Sequence, residues 1–495
     1  MAIHFEGRDV TYAELGARVD RLAAALAVEL GVEPGDRVAH LGLNSPDLLE
    51  LLFACARIGA ILVPLNWRLT PAEHAVLLAN AEPRALLVEL DFVAHVEQIV
   101  PRPEGMALVA CGAAAPGLPG PAWRQLGALE PRKDPHPRPV CPPPRGGPAS
   151  PVLIVYTSGT TGTPRGAVLT QEALVHNAWN SIAAHDMTSA DHVLTCLPMF
   201  HVGGLNIQTT PAVAVGATVT ITRRFDPGEV LRLVHSRRPT LLLAVPAVAQ
   251  ALASHPAFAT TDLSCLRCLA TGSSTVPEAV IRPWLDRGVP VTQVYGMTES
   301  GPTAIALSIA DAARKVGSCG KPALHTEARL VGADGEDVAR GARGEIWLRG
   351  PNLTAGYWRN PEATREAFAG GWFKTGDIGH QDEEGFFYID DRKKDVVISG
   401  GENIYPAELE NVLADCPAIA EAAVIGRPDP RWGEIPVACV VLKPGASLSR
   451  EDVLALFRDR LARYKHPRDV VFLDVLPRTA MGKVQKFALR GGLRA

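Results

Sequence analysis

Residues 157–166 read Thr-Ser-Gly-Thr-Thr-Gly-Thr-Pro-Arg-Gly and follow directly on the apolar run 152–156. Gly159 and Gly162 let backbone amides converge on an anion. The hydroxyls of Thr157, Ser158, Thr160 and Thr161 add donors and Arg165 adds charge, a set that suits a polyphosphate. The Gly-x4-Gly-Lys-Ser spacing of an ordinary phosphotransferase loop is absent, which disfavours that reading. On composition alone a plain Ser/Thr/Gly-rich turn competes. Glu299 follows an apolar run and a Tyr-Gly turn, which puts its carboxylate at a strand's C-terminal edge, where α/β ligand sites gather. His201 lies in the apolar stretch Pro198-Met-Phe-His-Val-Gly-Gly, where an isolated histidine is commonly a satisfied core residue. Cys265 and Cys268 form the one close cysteine pair. They lack the second pair or histidine cluster of a zinc site and read as small buried thiols in a reducing cytoplasm.

These groups need a scaffold. Strand-like runs at 37–43, 152–157, 240–245 and 291–295 alternate with helical stretches at 12–30 and 45–58, a pattern that predicts α/β layers around parallel sheets. Between 112 and 150 the composition turns to Pro, Gly and Arg, which predicts a surface connection unable to sustain helix or inner strand. Residues 193–222 carry no Asp, Glu, Lys or Arg, yet Pro198, Gly203, Gly204 and Pro211 break them. The stretch therefore reads as interior lining and not as a membrane span. After the charged segment Asp390-Asp-Arg-Lys-Lys-Asp about a hundred residues remain, with predicted helices at 406–413 and 452–464 and strands at 422–425 and 438–442. The expected organisation is a large N-terminal domain, 1–391, with parallel-rich sheets in layered α/β subdomains. A small α+β C-terminal domain, 392–495, follows it.

The chain has 495 residues, 47% hydrophobic and 21% charged, and a net charge of −4, which fits a globular enzyme of more than one domain. No sustained basic stripe suggests nucleic acid, and the N-terminus lacks the layout of a secretory signal, so a cytoplasmic location is expected.

The order of motifs resembles the adenylate-forming superfamily of acyl-CoA synthetases, adenylation domains and firefly luciferases. The likeness runs from about Tyr12 to Lys486 through the loop at 157–166, Leu197-Pro-Met-Phe-His-Val-Gly-Gly, Val294-Tyr-Gly-Met-Thr-Glu, Trp372-Phe-Lys-Thr-Gly-Asp, Ser399-Gly-Gly-Glu-Asn-Ile-Tyr-Pro and Pro477-Arg-Thr-Ala-Met-Gly-Lys. Arg165 departs from it, standing where the family usually carries lysine, and replaces a compact ammonium with a planar fork. The resemblance implies ATP, Mg2+ and coenzyme A as cofactors and a carboxylic acid as substrate. It implies Glu299, with Thr161, at the magnesium bridging the phosphates, and magnesium's need for hard oxygen ligands agrees. It implies Gly272, Ser273, Ser274, Tyr295, Gly296, Met297 and Thr298 around the nucleotide. Asp377 is implied on the ribose hydroxyls with Arg392 as its partner, and Lys483 as the lysine bridging carboxylate and α-phosphate. Lys394 is implied as the hinge of a mobile C-terminal domain.

The same resemblance places His201, Val202, Gly203, Val294, Gly301 and Pro302 on the acid's side, with His201 and Thr298 beside the reacting groups. Amino-acid-activating members carry aspartate where His201 stands, which argues against an amino-acid substrate. The candidate segments 200–208 and 293–303 contain no Arg or Lys to neutralise a second carboxylate, so a monocarboxylic acid, medium-chain fatty or aromatic, is expected. Gly400, Gly401 and Trp432 resemble the pantetheine channel, and Arg468 a contact for the phosphates of CoA. The expected activity is acid–CoA ligation through an acyl-adenylate. The alternative is loading of a carrier protein in trans, with a luciferase-like oxygenase or a non-catalytic relative further behind. The partners expected are small molecules, with no nucleic acid, no integral membrane association, and at most a homodimer.

Overall fold

The computed structural model describes residues 1–112, 118–120, 122–129, 143–157, 164–272, 276, 278–399, 402–458, 460–478 and 483–492. Among them two large sheets dominate the N-terminal part, one of nine strands and one of eight. The strands Ile3–Phe5, Thr218–Ile221, His192–Thr195, Leu241–Ala244, Cys268–Gly272 and Val291–Tyr295 pair in parallel, in that spatial order, within the nine-stranded sheet. In the other, Arg37–Leu41, Ile61–Pro64, Ala85–Glu89, Ala107–Cys111 and Pro151–Thr157 are parallel, and Arg165–Thr170 turns back antiparallel to close the loop at 157–166.

Between the sheets lie the helices Tyr12–Ala24 and Pro46–Ile58. The second carries leucines at 48, 49, 51 and 52, apolar on more than one face, as a helix covered by sheet on both sides requires. One core joins Leu49 and Leu52 to Val219 and Leu241 of one sheet and to Val38 and Leu62 of the other. Local signals agree with the packing. Thr11 and Glu14 form a reciprocal capping box at one helix start, and Gly59, at φ +75°, ends the other in the left-handed region that favours glycine.

A third sheet, antiparallel and built from Glu327–Val331, Gly344–Arg349, Phe368–Ala369, Trp372–Gln381 and Phe387–Arg392, was not expected from the sequence pattern. The C-terminal part has its own sheet, in which Ile419–Asp429 and Gly433–Leu442 form a long hairpin backed by the helix Pro406–Ala414, with Leu409, Val424 and Val440 in its core. The architecture is the α/β layering and smaller α+β unit that the alternation predicts.

Two expectations need correction. The helix expected over 452–464 is only Arg450–Ala455: the Ser449–Asp452 capping box sets its start, Leu456 closes it, and Phe457 packs in the core with its ring 6.0 Å from that of His466. Within the Pro/Gly-rich connection Trp123–Gln125 forms an edge strand and Leu126–Leu129 a single helical turn. Trp123 is buried there and its indole N–H donates to Glu97. The stretch 193–222 is interior, as expected, divided among two strands and the helices Val202–Asn206 and Thr209–Val215. Among the described residues no helix is long and apolar enough to cross a membrane.

Candidate active site

Parallel pairing brings the carboxyl ends of Cys268–Gly272 and Val291–Tyr295 to one edge, where Gly272 faces Val294. A Cβ on Gly272 would lie 2.4 Å from the carbonyl oxygen of Val294, so only glycine permits that approach. Past Tyr295 the chain makes the helical turn Thr298–Ser300, and Gly301 takes φ +103°. Buried amides hold this loop from three elements. Asn352 donates to the Ser300 carbonyl at 2.7 Å, Asn206 to that of Gly301 at 3.3 Å, and the Thr303 amide donates to Asn177 at 2.8 Å. Sequence reasoning passed over these asparagines; the signal available was polar residues on the buried face of the helix Gln171–Ala184.

Glu299 is buried, and burial pushes its carboxyl above the usual range. Its Oε1 accepts from the Tyr357 hydroxyl at 2.9 Å, while the Arg165 guanidinium lies 5.6 Å from the centre of the Tyr357 ring. Tyr357 was not foreseen. It arrives on Gly356–Tyr357, a two-residue strand paired with Arg165–Thr170. A planar guanidinium stacks on an aromatic face better than an ammonium, which gives Arg165 a local rationale. Thr157 pairs with Arg165 and its hydroxyl donates to the Arg165 carbonyl at 3.3 Å. Ser158, Gly159, Thr160, Thr161 and Gly162 lie outside the described residues, as do Ser273, Ser274, Gly400 and Gly401.

Asp377 and Arg392 face each other across two strands, Arg392 Nε meeting Asp377 Oδ1 at 3.0 Å. The other carboxylate oxygen, Oδ2, accepts from the Tyr295 hydroxyl at 2.9 Å. Lys483, the residue before Val484 of the Arg478–Val484 strand bridge, is partly buried in the field of Arg392, Asp377, Asp395 and Lys394. Burial lowers its ammonium pKa to about 8, with repulsion from Arg392 next in size. The structure thus brings Glu299, Tyr295, Asp377, Arg392 and Lys483 into one electrostatic neighbourhood.

His201 caps the helix Val202–Asn206, its Nδ1 accepting from the Gly203 amide at 3.0 Å. Burial holds its pKa down at about 4, so at neutral pH the ring is uncharged and its proton sits on Nε2. Val202, Gly203, Gly301 and Pro302 are buried, and His201 itself is half-buried at the surface of that group. Lys394 sits in the turn between Phe387–Arg392 and Val397–Ser399. Trp432 is elsewhere, 38% exposed at the tip of the long C-terminal hairpin, with the guanidinium carbons of Arg431 and Arg468 at 4.9 Å and 5.7 Å from its ring. Gly433 beside it pairs with Ser399, the residue before Gly400.

The donors fit magnesium. Glu299 offers a hard carboxylate oxygen, with Oε1 already oriented by Tyr357. Among the described residues no group of three His, Cys, Asp or Glu could hold a metal without substrate oxygens. Magnesium characteristically takes one or two carboxylates and completes its shell with phosphates and water.

This fold, a large layered α/β part with a small α+β part behind it, defines an adenylate-forming enzyme. The AMP-binding enzyme model matches residues 1–358 and the model of the AMP-binding enzyme C-terminal domain matches 408–483; the chain belongs to the AMP-binding enzyme family. It is 50% identical to an indoleacetate–CoA ligase from Aromatoleum aromaticum, over 99% of this chain and 94% of the relative. It is 44% identical to a feruloyl-CoA synthase from an Amycolatopsis species, over 99% and 95%. It superimposes on the crystal structure of ATP-bound MatB from Rhodopseudomonas palustris with a TM-score of 0.90, at 32% identity, covering 100% of this chain and 95% of that one. The chain is an AMP-forming acid–thiol ligase that uses ATP, Mg2+ and coenzyme A.

Proposed function

We propose that the protein ligates an aromatic monocarboxylic acid to coenzyme A through an acyl-adenylate, with Lys483 delivered from the C-terminal unit to the Asp377–Arg392 pair for the first half-reaction. The observation that carries this reading is the placement of Lys483 in the field of Asp377 and Arg392, on the edge that also holds Glu299. The two curated relatives named above favour an aromatic acid over a fatty one.

In the first step an oxygen of the acid attacks the α-phosphorus and the bond to pyrophosphate breaks. Lys483 neutralises charge between carboxylate and α-phosphate, the type of preorganised stabilisation that dominates such transfers. Magnesium, when bound, screens the phosphates. Glu299 would hold it with Thr161, and Tyr357 fixes the rotamer of that carboxylate. Arg165 and residues 157–162 hold the phosphates, Asp377 and Arg392 position the ribose, and Gly272, Ser273, Ser274 and residues 295–298 line the base. His201, with its Nε2–H, orients the acid over Val202, Gly203, Val294, Gly301 and Pro302.

For the second step we place the domain boundary at residues 391 and 392 and the hinge at Lys394. Rotation there withdraws Lys483 and brings Gly400, Gly401 and Trp432 to the adenylate, with Arg468 on the phosphates of CoA. The thiol sulfur then attacks the acyl carbon and AMP leaves. We place the enzyme in the cytoplasm, where ATP, CoA and reduced thiols coexist, in line with its free cysteines; a homodimer is the assembly to test, by light scattering.

The experiment is a panel of aromatic and aliphatic acids with ATP, Mg2+ and CoA, read as free acyl-CoA. Turnover of aromatic acids at least about tenfold above fatty acids, lost in Glu299→Gln by orders of magnitude, is expected. Adenylate without free thioester would favour carrier loading, and unchanged acyl-CoA formation in Glu299→Gln would remove that residue from the site.

A further inference from the structure

Seven residues past His201, the side chain of Gln208 is 1% exposed, and neither its Oε1 nor its Nε2 has a hydrogen-bond partner. Buried amides are satisfied in nearly all folded proteins, so an orphan with both ends open calls for an explanation. Gln208 lines a small cavity with Leu194, Thr195, Cys196, Leu197, Gly204, Thr209 and Leu243. Leu197 and Gly204 belong to the same motif as His201, and Leu197 and Leu243 also pack against Val294 and Ala270, next to Gly272. The helix Val202–Asn206 runs from His201 towards Gln208. At about 1.5 Å per residue that helix spans roughly 7 Å, within the reach of an aromatic acid beyond its carboxylate.

We propose that Gln208 is a specificity-determining residue that reads the distal end of the acid, its Oε1 accepting from an N–H or O–H on the aromatic ring. The inference rests on the aromatic-acid reading given above. A site with one unpaired buried amide discriminates against a hydrocarbon ring end, because the amide then stays unpaired. The Leu194, Leu197 and Leu243 walls supply shape; the Thr195 and Thr209 hydroxyls are already bonded to each other and to the Gly204 carbonyl, which leaves the Gln208 amide as the unpaired discriminator.

Two matched pairs test this: indole-3-acetate against 1-benzothiophene-3-acetate, and 4-hydroxycinnamate against cinnamate. Acyl-CoA formation is measured with the wild-type chain and with Gln208→Leu and Gln208→Met. The expected result is a wild-type preference of about tenfold or more in kcat/KM for the donor-bearing member of at least one pair, falling towards one in both variants. Thermal melting checks that the variants fold, and two replacements guard against one failing. A preference that persists in both variants overturns the proposal, and so does turnover of both pairs with no preference; in the latter case the amide is satisfied by a buried water. If the wild type turns over no aromatic acid and only aliphatic ones, the aromatic reading itself fails and takes this inference with it.

Discussion

The Tyr357 phenol donates to Oε1 of Glu299 at 2.9 Å, from a strand that also lays its ring beside Arg165. One side chain thus ties the candidate metal carboxylate to the cation of the proposed phosphate segment. Tyr357→Phe leaves the ring under Arg165 but frees Glu299 Oε1. The variant is expected to lose about tenfold in kcat/KM for ATP, the equivalent of about 1.4 kcal/mol, with KM for the acid little changed. Kinetics with Mg2+ varied at fixed ATP make the check, since a looser carboxylate raises the magnesium concentration needed for half-maximal rate. Loss spread equally over all three substrates would assign Tyr357 to the fold alone.

The pH dependence of adenylation follows from Lys483. Burial and Arg392 lower its pKa to about 8, and in the proposed mechanism the protonated form is the one that neutralises the reacting oxygens. Acid-dependent pyrophosphate exchange is therefore expected to fall as pH rises through about 8. Lys483→Arg, slower at its best, is expected to lose that alkaline limb because guanidinium stays charged. An alkaline limb of the same position in the arginine variant would assign it to another group. His201, already neutral at any pH well above 4, is expected to contribute no limb near neutrality.

Which parts of this site could be read in the sequence follows from how each is held. Glu299, Asp377 and Lys483 sit inside long local motifs, and their partners on the same hairpin, such as Arg392 opposite Asp377, are close in the chain. The parallel sheets were legible because strand and helix patterns alternate over short distances. Tyr357 was not, because what brings it to Glu299 is pairing between Gly356–Tyr357 and Arg165–Thr170, nearly two hundred residues apart. The asparagines at 177, 206 and 352 are similar: each is ordinary in its own segment and significant only where three elements meet at the Ser300–Thr303 loop. The overlong helix at 452–464 shows the opposite error, a helical pattern that the chain follows only as far as Ala455.

Trp432 tests the acceptor side. It is exposed at a hairpin tip and flanked by Arg431 and Arg468, so it has no core to support. Trp432→Ala is expected to raise KM for CoA about tenfold while KM for ATP and acid, and the melting temperature, stay within about twofold and a degree or two of wild type. An equal rise for all three substrates, or a large drop in melting temperature, would identify a structural tryptophan.

The central claim is that one C-terminal unit serves two half-reactions in turn, with Lys483 needed only for the first. The direct measurement uses Lys483→Ala in two assays: acyl-adenylate formation from acid and ATP, and thioester formation from a supplied acyl-adenylate and CoA. Adenylate formation is expected to fall by orders of magnitude while thioester formation proceeds at near the wild-type rate. Normal adenylate formation in this variant, or equal loss of both activities in a protein that remains folded, would contradict it.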